Sequence, residues 1–188
     1  MSYNCYTGVA ANLTNECADP VAMGIEKGIW VMNRADIASV TEAANPYIIS
    51  AITLTGVTTA YKFTGTNDSN GVSYNLVVGE NTEDTYQHIL TMLVSKKDGD
   101  TIQAMATLGD LVIVAESVAK EADGDGTFHI YGLKYGLYKS EETRNSAENK
   151  NQTSITFQSR EGREEPKPPQ VIFDTDYTTT LALLDALL

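Results

Sequence analysis

The side chains able to do chemistry are few and scattered. His88 and His129 are the only histidines of 188 residues. An imidazole can act as general base or metal ligand. Each of these, however, sits in an alternating stretch with no Ser, Cys or paired carboxylate spaced to complete a nucleophile and base, so a structural or surface role is expected. Cys5 and Cys17 lie in a polar stretch with no third or fourth ligand nearby, which argues against zinc. Free thiols are the expectation, with a small disulfide loop as the alternative in an oxidising compartment. Asp123-Gly-Asp125-Gly begins like a calcium loop but lacks the later oxygen ligands and the closing Glu, which leaves a turn. Gly132-Leu-Lys-Tyr-Gly136 falls inside an alternating pattern and opens no helix, so it cradles no phosphate. Tyr131, Tyr135 and Tyr138 could offer an aromatic platform to a sugar or a base; packing in a sheet or at a subunit interface is the preferred reading. The expectation is therefore a protein that is not an enzyme, with no catalytic residue, no metal and no cofactor.

Composition narrows the partners. Thirteen Lys and Arg against 25 Asp and Glu give a formal net charge of −12, which opposes binding to DNA phosphates or to an anionic membrane surface. A hydrophobic share of 42% over this length supports one domain with a substantial core. The first residues, MSYNCYTGVAANLTNE, lack the basic region and apolar core of a signal peptide, and no apolar run approaches the roughly 20 residues of a membrane helix. The sequons that begin at Asn12, Asn67 and Asn151 are accordingly given no weight.

Hydrophobic periodicity predicts an α+β, mainly β fold, a sandwich or barrel of eight or nine strands with one flanking helix. Residues 1–22 show no period and are expected to form an N-terminal arm, followed by a β-rich domain over 23–160. Strands are expected at 28–33, 47–54 (YIISAITL), 58–64 (TTAYKFT) and 73–78 (SYNLVV), the last two as a hairpin around the Asn70-Gly71 turn signal. Residues 84–96 fit helix and strand alike; a strand is chosen, with a helix after it over 101–108 and a buried strand over 111–116 (LVIVAE). Residues 128–160 are predicted as one long hairpin. Its first strand carries Tyr131, Leu133, Tyr135 and Leu137 on one face and Gly132, Lys134 and Gly136 on the other, and its polar loop covers 139–152. Residues 161–188 read as a proline-rich connector with little freedom to join a sheet, an edge strand near 171–173, and an apolar helix (LALLDALL) that must dock on its own body or on a neighbour.

The succession GIWVM leading to Asp36-Ile37, then YIISAITL, TAYKF, DTYQHILTMLVSK, a helix, LVIVAE and FHIYGLKYGL resembles virion structural proteins of tailed bacteriophages, specifically the tail-tube-like family, over about residues 24–160. The stretch HIYGLKYGLYKSEETRNSAENKNQTSITFQS carries most of that resemblance. It implies subunits that assemble into stacked rings, usually hexameric, around a channel in which DNA is passing cargo, alongside other virion proteins and without a membrane. The location implied is the virion tail, after synthesis in the bacterial host cytoplasm. An acidic conduit suits DNA that must slide. Lys139, Glu141, Glu142, Arg144, Asn149 and Lys150 in the polar loop, with Leu183, Leu184 and Leu187 in the tail, are the expected subunit contacts. The alternatives are a head-tail connector, tail terminator or capsid decoration protein, and, in another class, a carbohydrate- or cell-surface-binding β-domain.

Overall fold

A computed structural model describes residues 24–64, 70–79, 83–95, 98–120, 123–145 and 152–188. The expected N-terminal arm, Cys5, Cys17, Asn149 and Lys150 lie outside those residues. The fold is α+β and mainly β. It has eleven strands rather than eight or nine, in one mixed sheet that does not close into a barrel among the described residues. The strands are β1 (Ile25–Asn33), β2 (Ile37–Glu42), β3 (Ile48–Leu54), β4 (Tyr61–Thr64), β5 (Gly71–Val77), β6 (Thr85–Val94), β7 (Leu111–Ser117), β8 (Phe128–Tyr131), β9 (Leu137–Arg144), β10 (Thr153–Ser159) and β11 (Gln170–Ile172). Two helices, α1 (Gly99–Ala106) and α2 (Tyr177–Asp185), accompany them. No helix among the described residues is long and apolar enough to cross a membrane.

The central strands are apolar on both faces because they separate two cores. Leu111, Ile113 and Ala115 of β7, with Ile29 and Val31 of β1, face one cluster that holds Leu90, Met92, Leu137, Ile155 and Phe157. Val112 and Val114, with Trp30 and Met32, face the other, which holds Ile49, Ile52, Phe128, Ile130, Ile172 and Leu184. Each such large side chain contributes about 1.5–3 kcal/mol through burial. Trp30, 1% exposed, is a core residue, and its indole Nε1 donates to Asp185 at 3.0 Å, tying β1 to α2.

The sheet runs β2-β3-β11-β8-β7-β9-β10-β6-β5, with β1 between β7 and β4. β8 and β9 both pair with β7, β8 through Ile113–Glu116 and β9 at Leu111 alone. One half-sheet leaves by β8 and the other by β9, so the sheet divides at residues 132–136. There the sequence expectation fails: 128–138 is not one strand. Gly132 and Gly136 hold φ of 73° and 81°, and the Gly136 amide donates to the Gly132 carbonyl at 2.9 Å, which closes a turn. The alternation of Tyr131, Leu133, Tyr135 and Leu137 crosses the turn by coincidence. A Cβ on Gly132 would stand 2.7 Å from Leu137 Cγ, so the expected close approach is present, but within a turn.

Other expectations are corrected by partner choice. Residues 73–78 do not return against β4; β5 pairs with β6, and β4 pairs with β1. A local turn signal does not choose the partner, and β4 is held by its flanking apolar residues, Ala60 in one core and Phe63 against the other. Residues 84–96 do form the chosen strand, β6. The helix near 101–108 begins earlier, at Gly99, because Asp98 caps it by accepting from the Thr101 amide at 2.9 Å. Asp98→Ala is expected to cost about 1 kcal/mol of stability, measurable as a lower denaturant midpoint with an unchanged slope.

The C-terminal part is not an appended arm. Proline excludes residues 166–169 from a ladder, but Gln170 to Ile172 have free amides. β11 sits inside the sheet, parallel to β3 and antiparallel to β8, instead of at an edge. α2 docks on its own body: Leu184 is fully buried, and the Leu187 carbonyl accepts from the Ala60 amide at 2.7 Å.

Candidate assembly surface and the seam behind it

The expected contact residues that fall among the described residues do not gather into one surface. The polar loop is shorter than predicted, since Lys139 to Arg144 belong to β9 and pair with β10. Lys139 Nζ donates to the Met105 carbonyl at 2.9 Å and to Glu142 Oε2 at 2.6 Å, so it caps the C-terminus of α1. Glu141, Glu142 and Arg144 are exposed along β9. Leu184 is spent on the core, and Leu183 and Leu187 pack partly buried against the same cluster.

The strand that sequence reasoning passed over is β5. It ends the sheet path, so its outer edge is unpaired among the described residues. Its register places Val72 opposite Leu90, Tyr74 opposite His88 and Leu76 opposite Tyr86. Cross-strand partners share a face, so Val72, Tyr74, Leu76 and, by alternation, Val78 continue the core-facing side of β6. Val72 packs against the first core, yet Tyr74 and Leu76 are each 52% exposed and Val78 is 70% exposed. The opposite face carries Ser73, Asn75 and, at the end of the strand, Val77. An alternating strand normally buries its apolar side; here that side is open. Val72 and Tyr74 also line a cavity of about 260 Å³, shared with Ile25, Ser117, His129 and Tyr131. The alternation V-S-Y-N-L-V was visible in the sequence; its lack of cover was not.

A buried polar seam fixes this ribbon to the rest. Glu165 is 3% exposed. Its backbone exchanges two hydrogen bonds with Tyr86 of β6, at 2.7 and 2.9 Å, and its carboxylate accepts from the Lys134 and Tyr135 amides, both at 2.9 Å. Burial pushes that carboxyl upward, against the pull of the two amides. His88 is 2% exposed: Nδ1 accepts from the Gly132 amide at 3.2 Å, which leaves the proton on Nε2 to donate to the Lys167 carbonyl at 3.2 Å. Lys167 Nζ in turn reaches Glu42 Oε1 and the Pro46 carbonyl, at 2.8 and 2.9 Å. Residues 165–170 thereby clamp β6, the 132–136 turn and the β2–β3 connection. No residue of this seam was signalled by motif or spacing, because its partners are far apart in the chain.

The remaining candidates are dispersed. His129 is half-buried beside the cavity, with its imidazole held below its ordinary range by desolvation. Tyr131 is 6% exposed, Tyr135 lies in the turn under Lys134, and the Tyr138 ring sits beneath Arg160 at 4.5 Å, so the three form no common platform. Asp123 accepts from the Asp125 amide at 3.1 Å in a turn, and among the described residues no three His, Cys, Asp or Glu side chains cluster as metal ligands would. No family model, curated protein or solved structure matches this chain.

Proposed function

We propose that this chain is a non-enzymatic structural subunit that assembles with copies of itself, as a tail-tube-like virion protein does. The observation that carries this reading is the open apolar face of β5 beside an edge that is unpaired among the described residues. Such an edge recruits another strand unless it is blunted by charge, proline or cover, and β5 itself, GVSYNLV, has no charge and no proline. The other end of the sheet path is β2, a strand of different sequence. Contacts made by β5 with a different surface of the next copy would be heterologous, and heterologous contacts close into rings when the rotation permits. The net charge of −12 suits a ring whose channel lets DNA pass without holding it.

Purified protein should sediment as a discrete oligomer at micromolar concentration and show rings or short tubes, six-fold in end view, by electron microscopy. A single monomeric species at high concentration, with no rings, would reject self-assembly.

A further inference from the structure

Residues 132–136 are where the two half-sheets part, and the turn is tied to β6 directly by one ring and indirectly by Glu165, which pairs with Tyr86. His88 Nδ1 accepts from the Gly132 amide and Nε2 donates to the Lys167 carbonyl, so both ring nitrogens are committed to backbone groups of opposite character. That arrangement works for the neutral ring alone. We propose that His88 is an acid-released latch: a second ring proton turns Nδ1 from acceptor into donor, sets it against the Gly132 N–H, and breaks the direct tie of the Gly132 end of the turn to β6.

The surroundings favour release over accommodation. The Tyr131 and His88 rings meet nearly perpendicular with centroids 5.6 Å apart, and Tyr74 lies across the ladder on β5. On the connector, the Lys167 ammonium is turned away to Glu42, and the Glu165 carboxylate is engaged by the Lys134 and Tyr135 amides of the turn itself. On β8, His129 lines the cavity with Tyr131 and adds no negative charge. No carboxylate among the described residues hydrogen-bonds the His88 ring; the Lys167 carbonyl favours an imidazolium, but less than burial disfavours it. Burial accordingly holds the ring at about 4, against an ordinary value near 6.5. The folded value is depressed, so the opened turn takes up a proton first: the closed turn is fully favoured above about pH 6.5 and loses ground as the pH falls toward 4. Glu165 works in the opposite sense, since its raised carboxyl gains a proton more readily in place than when exposed. The latch operates in the isolated chain, whether or not β5 recruits a second copy.

Nuclear magnetic resonance of the full chain tests this directly. Above pH 6.5 the His88 ring should show a bare Nδ1 and a protonated Nε2. Between pH 6.5 and 4, opening at the Gly132 amide, from exchange corrected for its intrinsic rate, should rise about tenfold per pH unit. His88→Gln, which keeps an acceptor and a donor but cannot titrate, should abolish that slope. A ring that titrates near 6.5, a Gly132 amide whose opening ignores pH, or an equal slope in the variant would each overturn the latch. The wild-type ring and amide decide the question even if the variant fails to fold.

Discussion

Replacing Glu165 by Ala is expected to lower the unfolding free energy by about 2–3 kcal/mol, seen as a shifted urea midpoint with an unchanged slope. The backbone pairing of residue 165 with Tyr86 survives the change, so the loss reports the side chain alone. That side chain accepts from both the Lys134 and Tyr135 amides, and each orphaned, partly buried amide costs about 1 kcal/mol or more. Burial of the charge offsets part of the gain, as the upward push on its carboxyl shows. Glu165→Gln therefore separates the two effects. Its amide oxygen can serve one of the two donors without a buried charge, and its loss should be about 1 kcal/mol. If Glu165→Ala unfolded at the wild-type midpoint, the turn would be held by its glycine geometry and the His88 ring without the carboxylate.

How much of this was legible in the sequence depends on the range of the interaction responsible. β7 was readable because five consecutive apolar residues, Leu111 to Ala115, must be covered on both faces, and the two cores cover them. β6 was readable once its neighbours decided an ambiguous period. The turn at 132–136 was hidden by an alternation that runs across it, and only backbone angles reveal that Gly132 and Gly136 are bent. β11 was misplaced because composition describes a proline-rich run, while pairing depends on the three residues after the last proline. Lys139 and Leu184 were counted as contact residues from exposure guessed by polarity and position. One caps α1 and the other fills a core. Glu165 and His88 gave no signal, since each is tied to backbone groups at least 30 residues away.

Leu76→Asp is expected to weaken self-association by about a hundredfold or more while leaving the monomer folded. Leu76 is 52% exposed, so the isolated subunit keeps a solvated site for the new carboxylate. In an assembled ring the same position would be covered, and the charge would be buried beside Tyr74 and Val78 without a partner. Tyr86 lies across the ladder from Leu76, its ring 6.2 Å from that of Tyr74, and it offers no cation. Leu76→Val, which keeps an apolar, β-favouring side chain, should assemble almost as the wild type does. Sedimentation of the three proteins over a concentration series, with thermal melts of each at the lowest concentration, distinguishes the cases. Rings formed by Leu76→Asp at wild-type concentrations would remove β5 from the interface; a Leu76→Asp monomer that melts far below the wild-type monomer would mean that the open face of β5 contributes to the fold itself.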